Sequence, residues 1–207
     1  MTKRTHLVAG TAITLGIMKP TNVLGLVICL VTSSIGSLIS DIDVSTSKSR
    51  DELYKIIIVS IISVFICIIL EKYFNIGILE ILKNQSSIQR ILIGFFTMLF
   101  ICCFGITTSH RTFMHSVMGI VSLSITVFII FPGATLPFAI SMLSHIFLDF
   151  FNTKRIQFFY PLRKPRIALK FCKSNGLVSK ILFHIATIIL ELEIFLFIWF
   201  KIMGRSL

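Results

Sequence analysis

The chain has 207 residues, 55% of them hydrophobic and only 14% charged, with a mean hydropathy of +0.94. A water-soluble domain carries roughly 25% charged residues, so there is too little polar surface here to coat a soluble globule. The net charge of +11 would suggest nucleic acid in a soluble protein. In so apolar a chain it reads as the basic flanks that orient membrane helices. No DNA-reading motif is present, and no nucleic-acid partner is expected.

The pattern predicts an all-α, polytopic transmembrane bundle with five to seven hydrophobic segments, forming one integral membrane domain over residues 1–207. Continuous apolar runs, rather than alternation, favour helices, and helices satisfy their own backbone groups in lipid. The N-terminus resembles a secretory signal, with Lys3 and Arg4 before the apolar stretch Leu7–Met18. Lys19-Pro20 follows in place of a small-residue cleavage site. Segment 6–18 therefore reads as an uncleaved first helix, short and tilted or half-buried. A hairpin at Lys19–Asn22 leads to segment 21–39, and segment 54–70 follows. Residues 71–89 form a longer connection whose Phe74–Leu82 portion suits the membrane interface. Segments 88–108 and 114–131 come next, then a break at Pro132-Gly133 and segment 134–151. A strongly basic loop over about 152–177 precedes the last segment, 178–200. Neither a disulfide framework nor a Cys-ligated zinc is expected from five cysteines without a C-x-x-C pair.

Alternating the segments across a bilayer puts most of the 20 Lys and Arg on the side that holds the N-terminus, the 152–177 loop included. The positive-inside rule makes that side cytoplasmic. Four polar clusters interrupt the apolar pattern: His6 with Gly10, Ser40-Asp41-Ile42-Asp43, the turn from His110 to Ser116, and Ser144-His145 with Asp149. The same alternation carries all four to the cytoplasmic ends of their segments. His145 and Asp149 stand four apart and share a helix face. His110 and His115 are five apart and converge only across a turn.

His6, Asp41, Asp43, His110, His115, His145 and Asp149 make a mixed nitrogen and oxygen ligand set. Zinc is the first choice for it, with manganese and ferrous iron also compatible. Seven candidates suit two ions, or one ion with a supporting shell. Asp41 and Asp149 are candidate bases or ligands, and the planar fork of Arg111 suits a phosphate or a developing oxyanion. Lys180, His184, Thr187 and Glu191 form a polar stripe on the last segment, expected to face the bundle and pair internally.

His6-x-x-x-Gly10, Asp41-x-Asp43, His110-Arg111 with His115-Ser116, and Ser144-His145 with Asp149, followed by Thr153 and Tyr160-Pro161, appear in an order that resembles the bacterial membrane-bound metal-dependent hydrolases. These include the YdjM-like proteins, described as LexA-regulated inner-membrane hydrolases. The resemblance covers roughly residues 1–162. Ser40 stands where the family commonly has Pro, and Met114 where it often has Thr. The resemblance implies a multi-pass protein of the bacterial cytoplasmic membrane. It also implies a hydrolase; an ester or phosphoester is the expected substrate, and the location of the clusters, where lipid headgroups sit, points to lipid as its class. Two other readings use the same residues: an ion or metal transporter, since intramembrane His and Asp mark ion paths, and a non-catalytic membrane protein with a structural metal.

Overall fold

The computed structural model describes residues 1–43, 84–162, 165–172 and 176–203, with scattered positions between 58 and 80. The predicted segment 54–70 therefore lies outside the described residues, except for Ile58, Ile62, Phe65 and Ile69, which are helical and exposed. The predicted interfacial piece, Phe74–Leu82, is likewise outside them apart from Gly77 and Glu80.

Six α-helices make up the described bundle: α1 Lys3–Met18, α2 Val23–Ile39, α3 Ile88–Thr107, α4 Val117–Ile130, α5 Thr135–Phe150 and α6 Leu177–Ile202. The described residues contain no strand, only two isolated bridges, Asn152 with Cys172 and Ile156 with Ile167. Among the described residues, four helical stretches are long and apolar enough to cross a bilayer: Val23–Ile42, Ile88–Thr107, Pro132–Phe150 and Leu177–Ile202. The 16 residues of α1 reach about 24 Å at 1.5 Å per residue, short of a hydrocarbon core of about 30 Å.

Local chemistry sets the ends of these helices. Thr2 caps α1 by accepting from Thr5 N, Asn22 caps α2 through Gly25 N at 2.6 Å, and Ser116 caps α4 through Gly119 N at 3.2 Å. The last cap moves the start of α4 from the expected 114 to Val117, because Phe113–His115 forms a separate 3-10 turn. A second 3-10 turn, Pro132–Ala134, precedes α5, and a third, Ser40–Asp43, follows α2. At the opposite end of the bundle Arg90 closes α4, with Nε donating to Ile129 O at 3.2 Å and Nη2 to Phe128 O at 3.2 Å.

Helix α1 is the hub and packs on α2, α5 and α6; α2 also packs on α5, α3 on α4, and α4 on α5. Small residues permit the closest approaches, as between helices in lipid generally. A Cβ on Gly10 would stand 2.1 Å from Ser37 Oγ, and one on Gly36 would stand 2.7 Å from the backbone oxygen of Phe138. Ser37 and Ser141 hydroxyls meet at 2.6 Å, and Ser141 donates to Ser33 O at 2.5 Å. Beside this seam lies an apolar core that includes Ile39, Phe113, Met114, Leu123, Phe138 and Met142. The outer faces of α3 and α6 show exposed Phe, Ile and Leu, including Phe96, Phe100, Ile188 and Phe195. In a bilayer that surface faces acyl chains.

Candidate metal centre

The start of α1, the end of α2, the Phe113–His115 turn and the end of α5 meet at one end of the bundle. Each brings a ligand-type side chain. His6 lies on the first turns of α1, Asp41 on the turn that ends α2, His115 just before α4, and His145 and Asp149 on one face of α5. His6, His115, His145 and Asp149 are all buried, while the side chain of Asp41 is 16% exposed.

The donor atoms converge. His6 Nε2 is 3.3 Å from Asp149 Oδ1, and His115 Nε2 is 3.5 Å from Asp149 Oδ2. Asp41 Oδ1 is 3.7 Å from His115 Nε2 and 3.6 Å from His145 Nε2. The rings of His6 and His145 stack with centroids 3.9 Å apart, and His115 meets His145 edge-on at 5.5 Å. Two triads have ligand atoms all within 4.8 Å of one another: His6, His145 and Asp149, and Asp41, His115 and His145.

The protonation of His145 follows from its neighbour. Its Nδ1 lies 2.7 Å from the main-chain oxygen of Ser37. A carbonyl only accepts, so Nδ1 carries the hydrogen and Nε2 of the neutral ring keeps its lone pair. That lone pair faces the Asp41 carboxylate, buried and without a hydrogen-bond donor. Two acceptors held together away from water require a proton or a cation between them. A divalent cation held by either triad would meet this need, and the imidazole and carboxylate donors present are of the types that fit a metal ion.

Arg111 sits at the edge of the cluster and is itself buried. Its φ of 66° is left-handed, a conformation that costs a residue with a Cβ on the order of 1–3 kcal/mol and persists where the surroundings hold it. Its Nη2 is 2.9 Å from Asp149 Oδ2 and its Nη1 donates to Lys154 O at 3.0 Å. Its Nε donates to His110 Nε2 at 3.4 Å.

The structure thus brings together His6, Asp41, His115, His145 and Asp149, with Arg111 on the rim. His110 stands beside them, its ring edge-on to His115 at 5.5 Å, but it belongs to neither triad. Asp43 lies in the 3-10 turn after α2, and its side chain is outside the described residues.

The polar stripe on α6 departs from expectation. Lys180, His184 and Glu191 are exposed and Thr187 is half-buried. The side of α6 that meets α1 is built from residues such as Ser179, Ala186 and Phe197. Thr187 donates to Phe183 O within its own helix. The period of the stripe was correct, but its direction was not, because periodicity fixes which residues share a face and not what that face meets.

Three participants have no motif in the sequence. The carbonyl of Ser37 orients His145. Asn152, fully buried, places Nδ2 3.4 Å from Asp149 Oδ1. The backbone nitrogen of Met1 lies 3.7 Å from the same oxygen. The position of Asn152, three residues beyond Asp149, was the one available signal.

Membrane-length helices around a buried His and Asp cluster define a helical membrane protein with a polar centre at one end of its bundle. The family described as YdjM inner membrane protein matches residues 1–205, and the chain belongs to that family, as the motif order suggested. No curated protein and no solved structure gives a match.

Proposed function

We propose that the chain is a membrane-embedded, metal-dependent hydrolase that cleaves an ester or phosphoester, with membrane lipids as the substrate class. The supporting observation is the pair of adjoining triads, His6, His145 and Asp149 and Asp41, His115 and His145, each with its ligand atoms within 4.8 Å of one another. The set favours a single ion. Both triads use His145, whose Nδ1 is occupied by Ser37 O, and the one remaining lone pair serves one ion. Zinc suits three imidazoles and two carboxylates, and manganese and ferrous iron accept the same donors.

A divalent ion held by these residues would supply a Lewis acid and would lower the pKa of water. The chain supplies the rest. Buried walls exclude bulk solvent from His6, His115 and His145. Asp41, the most open of the five, would serve either as a ligand or as the base that takes a proton from water. Asn152 and Arg111 hold Asp149 from either side. Exposed Lys154, Arg155, Arg166 and Lys170 follow α5 in the chain, which favours a cytoplasmic orientation for the site and the N-terminus.

The test is metal analysis of purified protein beside lipid and ester hydrolysis assays. Wild type should hold about one ion per chain, and His145→Ala and Asp149→Ala should lose it together with turnover. Unchanged metal content in both variants would sink the reading. Metal without turnover across ester and phosphoester panels would leave a structural ion instead.

A further inference from the structure

Asp149 turns its two oxygens in different directions. Oδ1 faces His6 and Asn152, while Oδ2 faces Arg111 and His115. Each of the three guanidinium nitrogens of Arg111 is directed at a protein group: Nη2 at Asp149, Nη1 at Lys154 O, Nε at His110 Nε2. A side chain meant to grip an incoming anion would aim its planar fork into open space. Here the fork joins the end of α5 to the loop beyond it. The backbone of Arg111 makes the same connection, since its carbonyl accepts from Gln157 N at 2.9 Å. Close by, Val117 N donates to Phe158 O at 3.0 Å. The left-handed φ of Arg111 accompanies this two-way attachment through side chain and carbonyl.

We infer that Arg111 is a positioning residue with two tasks. It holds Oδ2 of Asp149, so that Oδ1 stays directed at the His6 side of the centre. It also pins residues 152–160 against the turn that carries His115. The first task rests on the metal reading above, and the second does not depend on it.

The experiment compares wild type, Arg111→Lys and Arg111→Gln as full-length chains in detergent. Cobalt(II) titration with visible absorption reads the first task. Amide exchange at Gln157–Tyr160 in metal-free protein reads the second. Arg111→Gln should weaken cobalt by about 10- to 100-fold, the usual effect of losing a group that orients a ligand, and should change the spectrum. Arg111→Lys keeps a cation beside Oδ2 and should recover affinity. It lacks the fork that reaches Lys154 O, so exchange at Gln157–Tyr160 should stay raised in both variants.

Wild-type affinity and spectrum in Arg111→Gln would overturn the first task, and wild-type exchange would overturn the second. If wild type itself takes no cobalt, the metal reading fails and the first task with it, and the exchange arm still decides the second. If Arg111→Gln does not fold, Arg111→Met takes its place in the cobalt arm, where wild-type affinity and spectrum would overturn the first task, and Arg111→Lys against wild type decides the second: raised exchange supports the pin and unchanged exchange overturns it.

Discussion

His145 gives one ring nitrogen to the Ser37 carbonyl at 2.7 Å and turns the other on Asp41 at 3.6 Å. Its tautomer is therefore fixed by the main chain of a different helix. Second partners of this kind set ring orientation in metal sites, and their loss typically weakens the metal by about 10- to 100-fold. Asn152→Leu removes the amide beside Asp149 Oδ1 and should weaken the ion within that range, as read by competition with a chelator. Acid should act on the same residues. Imidazoles bind metal only when neutral, and their ordinary pKa is about 6.5. The ion should therefore stay bound at neutral pH and leave in acid, where protons compete with it for its imidazole and carboxylate donors. Dialysis at stepped pH followed by metal analysis checks this, and retention at about pH 4 would count against imidazole ligation. The sequence displayed five of the clustered residues by type and spacing. It could not display Ser37, whose contribution is a carbonyl, nor separate His110 from His115. That separation depends on the 3-10 turn at Phe113–His115, which rotates one ring inward and leaves the other at the rim.

At the scale of the helices, the seam of α1, α2 and α5 fixes the ligand positions. Gly10→Val would place a branched side chain where a single Cβ already meets Ser37 Oγ at 2.1 Å. Overpacking of this kind costs about 1–3 kcal/mol, so a lower thermal midpoint in detergent and weaker metal retention should appear together. Glu191→Leu on α6 should do neither, because Glu191 is exposed and α6 packs on α1, whose Thr5 meets Ser179 at 3.4 Å. Metal content of that variant checks the point. Helix boundaries were legible to within a few residues wherever a Ser, Thr or Asn cap or a Pro marked them, as at Asn22, Ser116 and Pro132. The facing of α6 was not legible, since a stripe has the same period whether it looks inward or outward.

Across the whole molecule, alternation of hydropathy and basic flanks was enough to anticipate that residues separated along the chain would share one end. The bundle does place His6, Asp41, His115 and Asp149 there. If that end is cytoplasmic, single cysteines at Arg155 or Lys170, both exposed, should react with an impermeant maleimide only after the membrane is opened in intact cells. Labelling from outside would reverse the orientation.

The centre is also completed late in the chain, with only α6 and the segment before it still to follow. Its earliest member is His6 and its latest Asp149, and no three consecutive helices in the chain hold all five groups. A nascent chain that has inserted only α1 and α2 offers His6 and Asp41 alone. If the centre holds an ion, that ion would need α5 in place, so ribosome-bound chains stopped before residue 145 should carry none. Under the proposed reading, protein made in metal-starved cells should insert with this centre empty.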